Sequence, residues 1–284
     1  MRRREISRWS PGIQYSSVAE FCQELACDGL HTIQLGGTPL DLWAVGRGAD
    51  ATLITFQHRV SERTTYPKFV GERISSELGV NLISVSDPTV TGNSNIRLGW
   101  YLGNRDTGHL KKHLLPVLER LGDFLGGQRT IFWGNSGGGY AAINYAQHFA
   151  GSIAFTVNPR LGFADGLSDD LVKFLRLGHQ AKGRTPFNRL RGEYAKNLWE
   201  TVEENADFVA AMYHNSGDTG YYDLNHRKFV DSRQSDLQLT ERIDFDGEGH
   251  VPIPRSKLVE ILRTLTDTSL APAAALQKAG FSSL

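Results

Sequence analysis

Apolar and polar positions along this chain fall into short blocks whose period switches between that of a strand and that of a helix. "ATLITFQHRV" is β-branched and apolar and predicts a strand. "VNLISVSDPTV" predicts another, ending in a polar loop. "LHTIQLGG" and "LDLWAVG" read as two strands joined at "GTP" in a hairpin-like turn. Helices are expected over "SVAEFCQELACDG", ending at Gly29, and over "YPKFVGERISSELG". "DTGHLKKHLLPVLERLGDFLG" carries leucines at helical spacing, with a kink expected at Pro116. From Thr130 the alternation becomes regular. Strand "QRTIFWGNS", helix "GGYAAINYAQHFA" and strand "GSIAFTVNP" follow one another, which predicts an α/β fold with a mostly parallel sheet and helical crossovers.

The rhythm then breaks. Residues 160–205 hold no strand pattern, and "SDDLVKFLRLGH" and "PFNRLRGEYAKNLWETVEEN" both look helical. About 45 residues is far longer than the usual connection in such a sheet. The expected organisation is a core formed by 1–159 and 206–284, with 160–205 as a helical cap insertion. The sheet resumes with "DFVAAMYHN" and "LTERIDFD", a helix is expected near "YYDLNHRKFVDSR", and "PRSKLVEILRTLTD" closes the domain with another. The tail "TSLAPAAALQKAGFSSL" either packs as a short helix or frays.

Composition narrows the partners. Lys+Arg and Asp+Glu are 31 each, so no basic excess favours nucleic acid or a membrane surface. No run reaches the length of a membrane span, and the basic "MRRRE" is followed by polar residues rather than the apolar segment of a secretory signal. Cys22 and Cys27 are poorly spaced to bridge, which fits reduced thiols in a cytoplasmic protein, and two thiols are too few for a metal cluster. Oligomeric state has no readable signature.

The chemistry concentrates in "TIFWGNSGGGYAAINYA". Gly134-Asn135-Ser136-Gly137-Gly138 matches G-x-S-x-G between a strand and a helix. A serine on so sharp a reversal needs near-hydrogen side chains two residues to either side, and the helix N-terminus points free N–H groups at the same spot. The same glycines also fit a dinucleotide loop, Gly137-x-Gly139-x-x-Ala142. That reading needs an acidic residue after the next strand, where this chain has Asn158-Pro159-Arg160. A third reading is close packing alone.

A serine hydroxyl needs a base and an orienting acid. His250, in "DFDGEGHVPIP", lies in a Gly-rich loop between the last strand and the last helix. Asp218 follows the preceding strand in "NSGD", with Asp223 as its rival. Asp244 and Asp246 precede His250 too closely. The order Ser136, Asp218, His250 is that of the elbow hydrolases. With "GNSGG", "SGD" and "GEGHVP" in sequence, the chain resembles the α/β-hydrolase superfamily from about Leu30 to Asp267. The resemblance implies a Ser-Asp-His triad, no cofactor and no metal. It also implies an oxyanion hole pairing the N–H of Gly137 with one from the loop after the third core strand. That loop reads "TFQHRVSER" and lacks the family's glycine, so the second donor is His58 or Arg59.

Around this set, Asn135, Trp100 and Tyr101 are candidates for the pocket wall, with core packing equally open to the two aromatics. Asp87 reads as an Asx turn before Pro88. The insertion is rich in Arg160, Lys173, Arg176, Lys182, Arg184, Arg189, Arg191 and Lys196 against Asp165, Asp169, Asp170 and Glu193. It is either a solvated helix face or a lure for an anionic substrate. The expected activity is a serine hydrolase cleaving an ester, in preference to an amide or thioester. Rivals are acyl transfer on the same fold, a non-catalytic scaffold, and an NAD(P)-binding oxidoreductase. "FQHRV", "SVSDPT" and "SGGGYAA" resemble bacterial hydrolases linked to cell-surface glycan or secretory-pathway deacetylation, which implies a small-molecule or glycan ester as substrate.

Overall fold

The computed structural model describes residues 2–9, 12–163, 166–203, 206–232 and 237–284. Its strands are β1 (Gly12–Tyr15), β2 (Gly29–Leu35), β3 (Thr38–Val45), β4 (Ala51–Phe56), β5 (Asn81–Ser86), β6 (Gly103–Asn104), β7 (Gly108–His109), β8 (Arg129–Asn135), β9 (Ser152–Val157), β10 (Phe208–Asn215), β11 (Gln238–Asp244) and β12 (Ser282–Ser283). Ten form one sheet in the order β1-β2-β3-β5-β4-β8-β9-β10-β11-β12, and β6 and β7 pair separately. From β5 across to β11 every pairing is parallel; β3 runs against both its neighbours, and β12 against β11.

The apolar runs explain this sheet. β4, β5 and β9 are buried at every position, as expected of parallel strands covered on both faces. Alternate residues then feed opposite cores. On β8, Phe132 packs with the elbow helix Gly137–Ala146, and Ile131 and Trp133 with the helix Arg255–Leu265. Because β5 lies to one side of β4 and β8 to the other, the strand order reverses there, which opens a crevice at the strands' carboxyl ends.

Local expectations needed correction where tertiary contacts override the pattern. The first helix is only Val18–Gln23, and Gly29 begins β2 rather than ending a helix. β1, unmarked by any clear apolar run, pairs with β2 at the sheet edge. Pro116 lies inside the helix Lys111–Leu125. "PFNRLRGEYAKNLWETVEEN" is two helices, Arg184–Tyr194 and Leu198–Thr201. The break has a cause: the Lys196 carbonyl accepts from Tyr140 Oη at 2.9 Å, and Leu198 N–H donates to Leu161 O at 2.9 Å. Within 160–205, Leu171, Phe174, Leu190, Tyr194 and Leu198 join the same core as the elbow helix. Asp165 lies outside the described residues. The tail is packed: helix Pro272–Lys278 buries Ala275 and Leu276, and β12 adds to β11.

Candidate active site

The reversal between β8 and the elbow helix centres on Ser136, whose φ of 50° and ψ of −118° lie outside the usual regions for a side-chain-bearing residue. The surroundings hold it there. Ser136 N–H donates to Val157 O at 2.9 Å, and its carbonyl accepts from Gly139 N–H and Arg160 N–H, both at 3.0 Å. A Cβ on Gly134 would stand 2.1 Å from Gly138 O, and one on Gly138 would stand 2.6 Å from Phe56 O. Both clashes are with backbone, so only glycine allows this crossing. Gly137 opens the helix, and among the described residues its N–H has no acceptor.

Asp218 lies three residues beyond β10 and caps the short turn that follows. It is nearly buried, and its Oδ2 lies 2.5 Å from His250 Nδ1. The rival Asp223 instead faces solvent and pairs with Arg227. The Tyr221 ring lies tilted against His250, with centroids 4.2 Å apart and planes 33° from parallel. Ser136 and His250 line the same cavity of about 360 Å³, together with His58, Arg59 and Asn135.

On the β4 side, Gln57 N–H donates to Tyr101 Oη at 2.6 Å. The next two N–H groups, of His58 and Arg59, have no acceptor among the described residues. Desolvation at the cavity wall lowers the pKa of the His58 imidazole, with Lys68 and His250 pushing in the same direction. The Arg59 guanidinium pairs with Asp170 at 2.7 Å, which ties this loop to the insertion helix Asp169–Lys173.

Two expected wall residues are not there. Trp100 and Tyr101 are 0% and 1% exposed and do not line the cavity. Trp100 meets Phe163 and Phe174 edge-on, while Tyr101 braces β4 against β5 by donating to Val85 O at 2.9 Å. Both have positive φ, a tight turn that turns their rings into the core. Asp87 is the Asx cap expected, accepting from Thr89 N–H at 3.0 Å; burial pushes its carboxyl up to about 6. Of the insertion's basic residues only Arg160 reaches the cavity. Lys173 and Arg189 pair with Asp169 and Glu193 on the helix surfaces. The glycines of the dinucleotide pattern face protein: a Cβ on Gly137 would meet Leu98 at 2.5 Å, and one on Gly139 would meet Pro159 at 2.8 Å.

No protein-family model and no curated protein matches the sequence. The structure, however, is similar to the capsule O-acetyltransferase of Neisseria meningitidis serogroup A, with a TM-score of 0.63 at 14% identity over 87% of this chain and 98% of that one. It is also similar to an S-formylglutathione hydrolase from Agrobacterium tumefaciens, with a TM-score of 0.52 at 14% identity over 89% of this chain and 95% of that one. The chain has the α/β-hydrolase fold. At the carboxyl ends of the central strands Ser136 and His250 line one cavity, and Asp218 contacts His250 from behind it.

Sequence reasoning missed the residues that hold together the loops after β10 and β11. Asn215, at the end of β10, donates from Nδ2 to Gly247 O at 2.8 Å and Gly249 O at 2.9 Å, and its Oδ1 accepts from Asp246 N–H at 2.9 Å and Gly217 N–H at 3.2 Å. Asn158, at the end of β9, accepts from Asn215 N–H at 2.7 Å and donates to Val251 O at 3.1 Å. These two buried amides stitch the acid loop to the histidine loop. Their one signal in the sequence is an asparagine just past each of two apolar runs. His214 adds a third support, its Nε2 lying 3.2 Å from Asp218 O. A carbonyl can only accept, so the Nε2 carries the proton. Burial lowers the His214 pKa to about 4, which keeps the ring neutral.

Proposed function

We propose that this protein is a serine hydrolase that cleaves an ester through an acyl-enzyme on Ser136. The observation that carries the reading is the 2.5 Å contact of Asp218 with His250, on a cavity shared with an elbow serine at positive φ. His250 removes the Ser136 proton as the hydroxyl attacks the carbonyl carbon, then returns it to the leaving alcohol. Asp218 holds the imidazole tautomer and balances its charge. The tetrahedral oxyanion takes hydrogen bonds from Gly137 N–H and from His58 or Arg59 N–H. Water, activated by the same histidine, then releases the acid. In this reading 160–205 is the cap, joined to the β4 loop through Asp170 and Arg59. Among the described residues no helix is long and apolar enough to cross a membrane. The unpaired Cys22 and Cys27 support a cytoplasmic setting.

A fluorophosphonate probe should label the wild-type protein and not Ser136→Ala. Equal labelling of the two sinks the assignment. Acyl transfer is a second reading, favoured by the similarity to the capsule O-acetyltransferase, one of whose structures is a complex with CoA. That similarity and the stretches "FQHRV" and "SVSDPT" support a carbohydrate ester as substrate or product. Turnover of a chromogenic acetate with competing sugar alcohols separates the two: acylated sugar supports transfer, and free acetate alone supports hydrolysis.

A further inference from the structure

Arg2 is 4% exposed and makes no ion pair among the described residues. Backbone carbonyls surround its guanidinium instead. Nε donates to Val90 O at 3.0 Å; one terminal nitrogen donates to Ser61 O at 2.7 Å and Glu62 O at 3.0 Å; the other donates to Ser94 O at 2.9 Å and Ile96 O at 2.7 Å. All five N–H donors are used. The acceptors belong to two loops. One follows β4 and carries His58 and Arg59. The other follows β5 and leads to Leu98, which lines the cavity. Val60 N–H to Arg97 O, at 2.9 Å, joins the same two loops nearer the site.

A second route runs from Arg2 to the loop. The guanidinium carbon lies 5.5 Å from the Tyr66 ring centre, within cation–π range. The Tyr66 hydroxyl accepts from Gln57 Nε2 at 2.5 Å. Gln57 is the residue before His58, and its own N–H is fixed by Tyr101 Oη. The N-terminal arm is itself held in place, with Glu5 N–H donating to Tyr66 O at 2.7 Å and Tyr66 N–H to Arg3 O at 2.9 Å.

We infer that Arg2 is a positioning residue for the oxyanion loop, a cationic rivet that fixes the backbone after β4 so that the His58 and Arg59 N–H groups face the elbow serine. This inference rests on the hydrolase reading. A buried guanidinium without a carboxylate is costly to desolvate, and only the convergence of carbonyls from both loops offsets that cost. Without it several inward-facing carbonyls lose their donor, and the loops must open to water or shift. Lysine brings three donors on a compact head and cannot span both loops.

Arg2→Ala and Arg2→Lys in the full chain test this, assayed on p-nitrophenyl acetate well below each variant's melting temperature. Displacement of the loop by about 1 Å should lower kcat of Arg2→Ala by about ten- to a hundredfold, with KM within about threefold. Arg2→Lys should fall between Arg2→Ala and wild type. Low-millimolar guanidinium, against a matched sodium chloride control, should restore part of the Arg2→Ala rate by refilling the carbonyl cage. Amide hydrogen exchange should accelerate in 58–64 and 90–97 and stay unchanged in β11. Wild-type kcat with wild-type exchange in Arg2→Ala overturns the proposal. So does a lost rate that guanidinium does not restore and that comes with uniform acceleration of exchange. If Arg2→Ala does not fold, the same criteria apply to Arg2→Lys. A wild-type protein inert on esters with unlabelled Ser136 refutes the hydrolase reading instead, and exchange alone then decides whether Arg2 fixes the loop.

Discussion

Asn215→Asp replaces one amide nitrogen by oxygen and changes almost nothing in shape. It converts the group that donates to Gly247 O and Gly249 O into an acceptor facing two acceptors. The Oδ1 contacts to Asp246 N–H and Gly217 N–H can survive. Asn215 is 0% exposed, so water cannot readily replace what is lost. Two hydrogen bonds at about 1–1.5 kcal/mol each come to about 2–3 kcal/mol, and the opposed oxygens add to that loss. For a chain of this length about 2 °C of melting temperature is lost per kcal/mol, so Tm should fall by at least about 4–6 °C. The functional effect is separate. The loop being released carries His250, and slack of about 1 Å between base and nucleophile should lower kcat by about a hundredfold. Thermal melts and initial rates on a chromogenic ester, both at neutral pH, read the two effects. A variant that melts with wild type refutes the accounting. One that melts early but keeps wild-type kcat refutes the claim that Asn215 sets the histidine's position.

Leu98→Ala opens space against Gly137, so the preference for a hexanoyl over an acetyl ester should rise by about tenfold or more in kcat/KM; an unchanged chain-length profile refutes a role for Leu98 in limiting the acyl group. Arg59→Ala breaks a partly exposed pair with Asp170, so it should cost less than about 1 kcal/mol of stability by urea unfolding, and a larger loss would show that the pair holds the insertion in place. His214, its pKa lowered to about 4, contributes stability that is present above its unfolded pKa of about 6.5 and lost as pH falls through 4. Asp87, raised to about 6, acts oppositely: its contribution is full below its unfolded pKa of about 3.9 and lost as pH rises through 6. Urea unfolding across this window should show a shallower acid-side loss in His214→Gln, and a wild-type slope refutes the assignment.

The elements from Thr130 to Val157 were legible in the sequence because each is buried by its own apolar residues, so period and composition agree with the fold. The elbow was legible for a steric reason, since a crossing this close leaves no choice but glycine at 134 and 138. Other features depend on partners distant in sequence. Trp100 and Tyr101 look like pocket aromatics in "LGWYLGN", and only the left-handed turn reveals that they point inward. Asn158 and Asn215 act through backbone groups of a loop reached only after folding, so no local pattern marks them. The break after Tyr194 is imposed by Tyr140 and Leu161, far away in the chain, against good helix-forming sequence.

At the far edge of the sheet, β12 is only two residues long, yet Ser282 and Ser283 cover Glu241 and Thr240 in the middle of β11. An open parallel edge of seven residues would be a template on which another chain could add its own strand. The short antiparallel cover interrupts that template, and Phe281 anchors it in the core behind. Trimming Ser282–Leu284, which spares Phe281, removes this cover together with the Leu284 N–H bond to Leu239 O, and size-exclusion chromatography should then show self-association through the bared β11 edge.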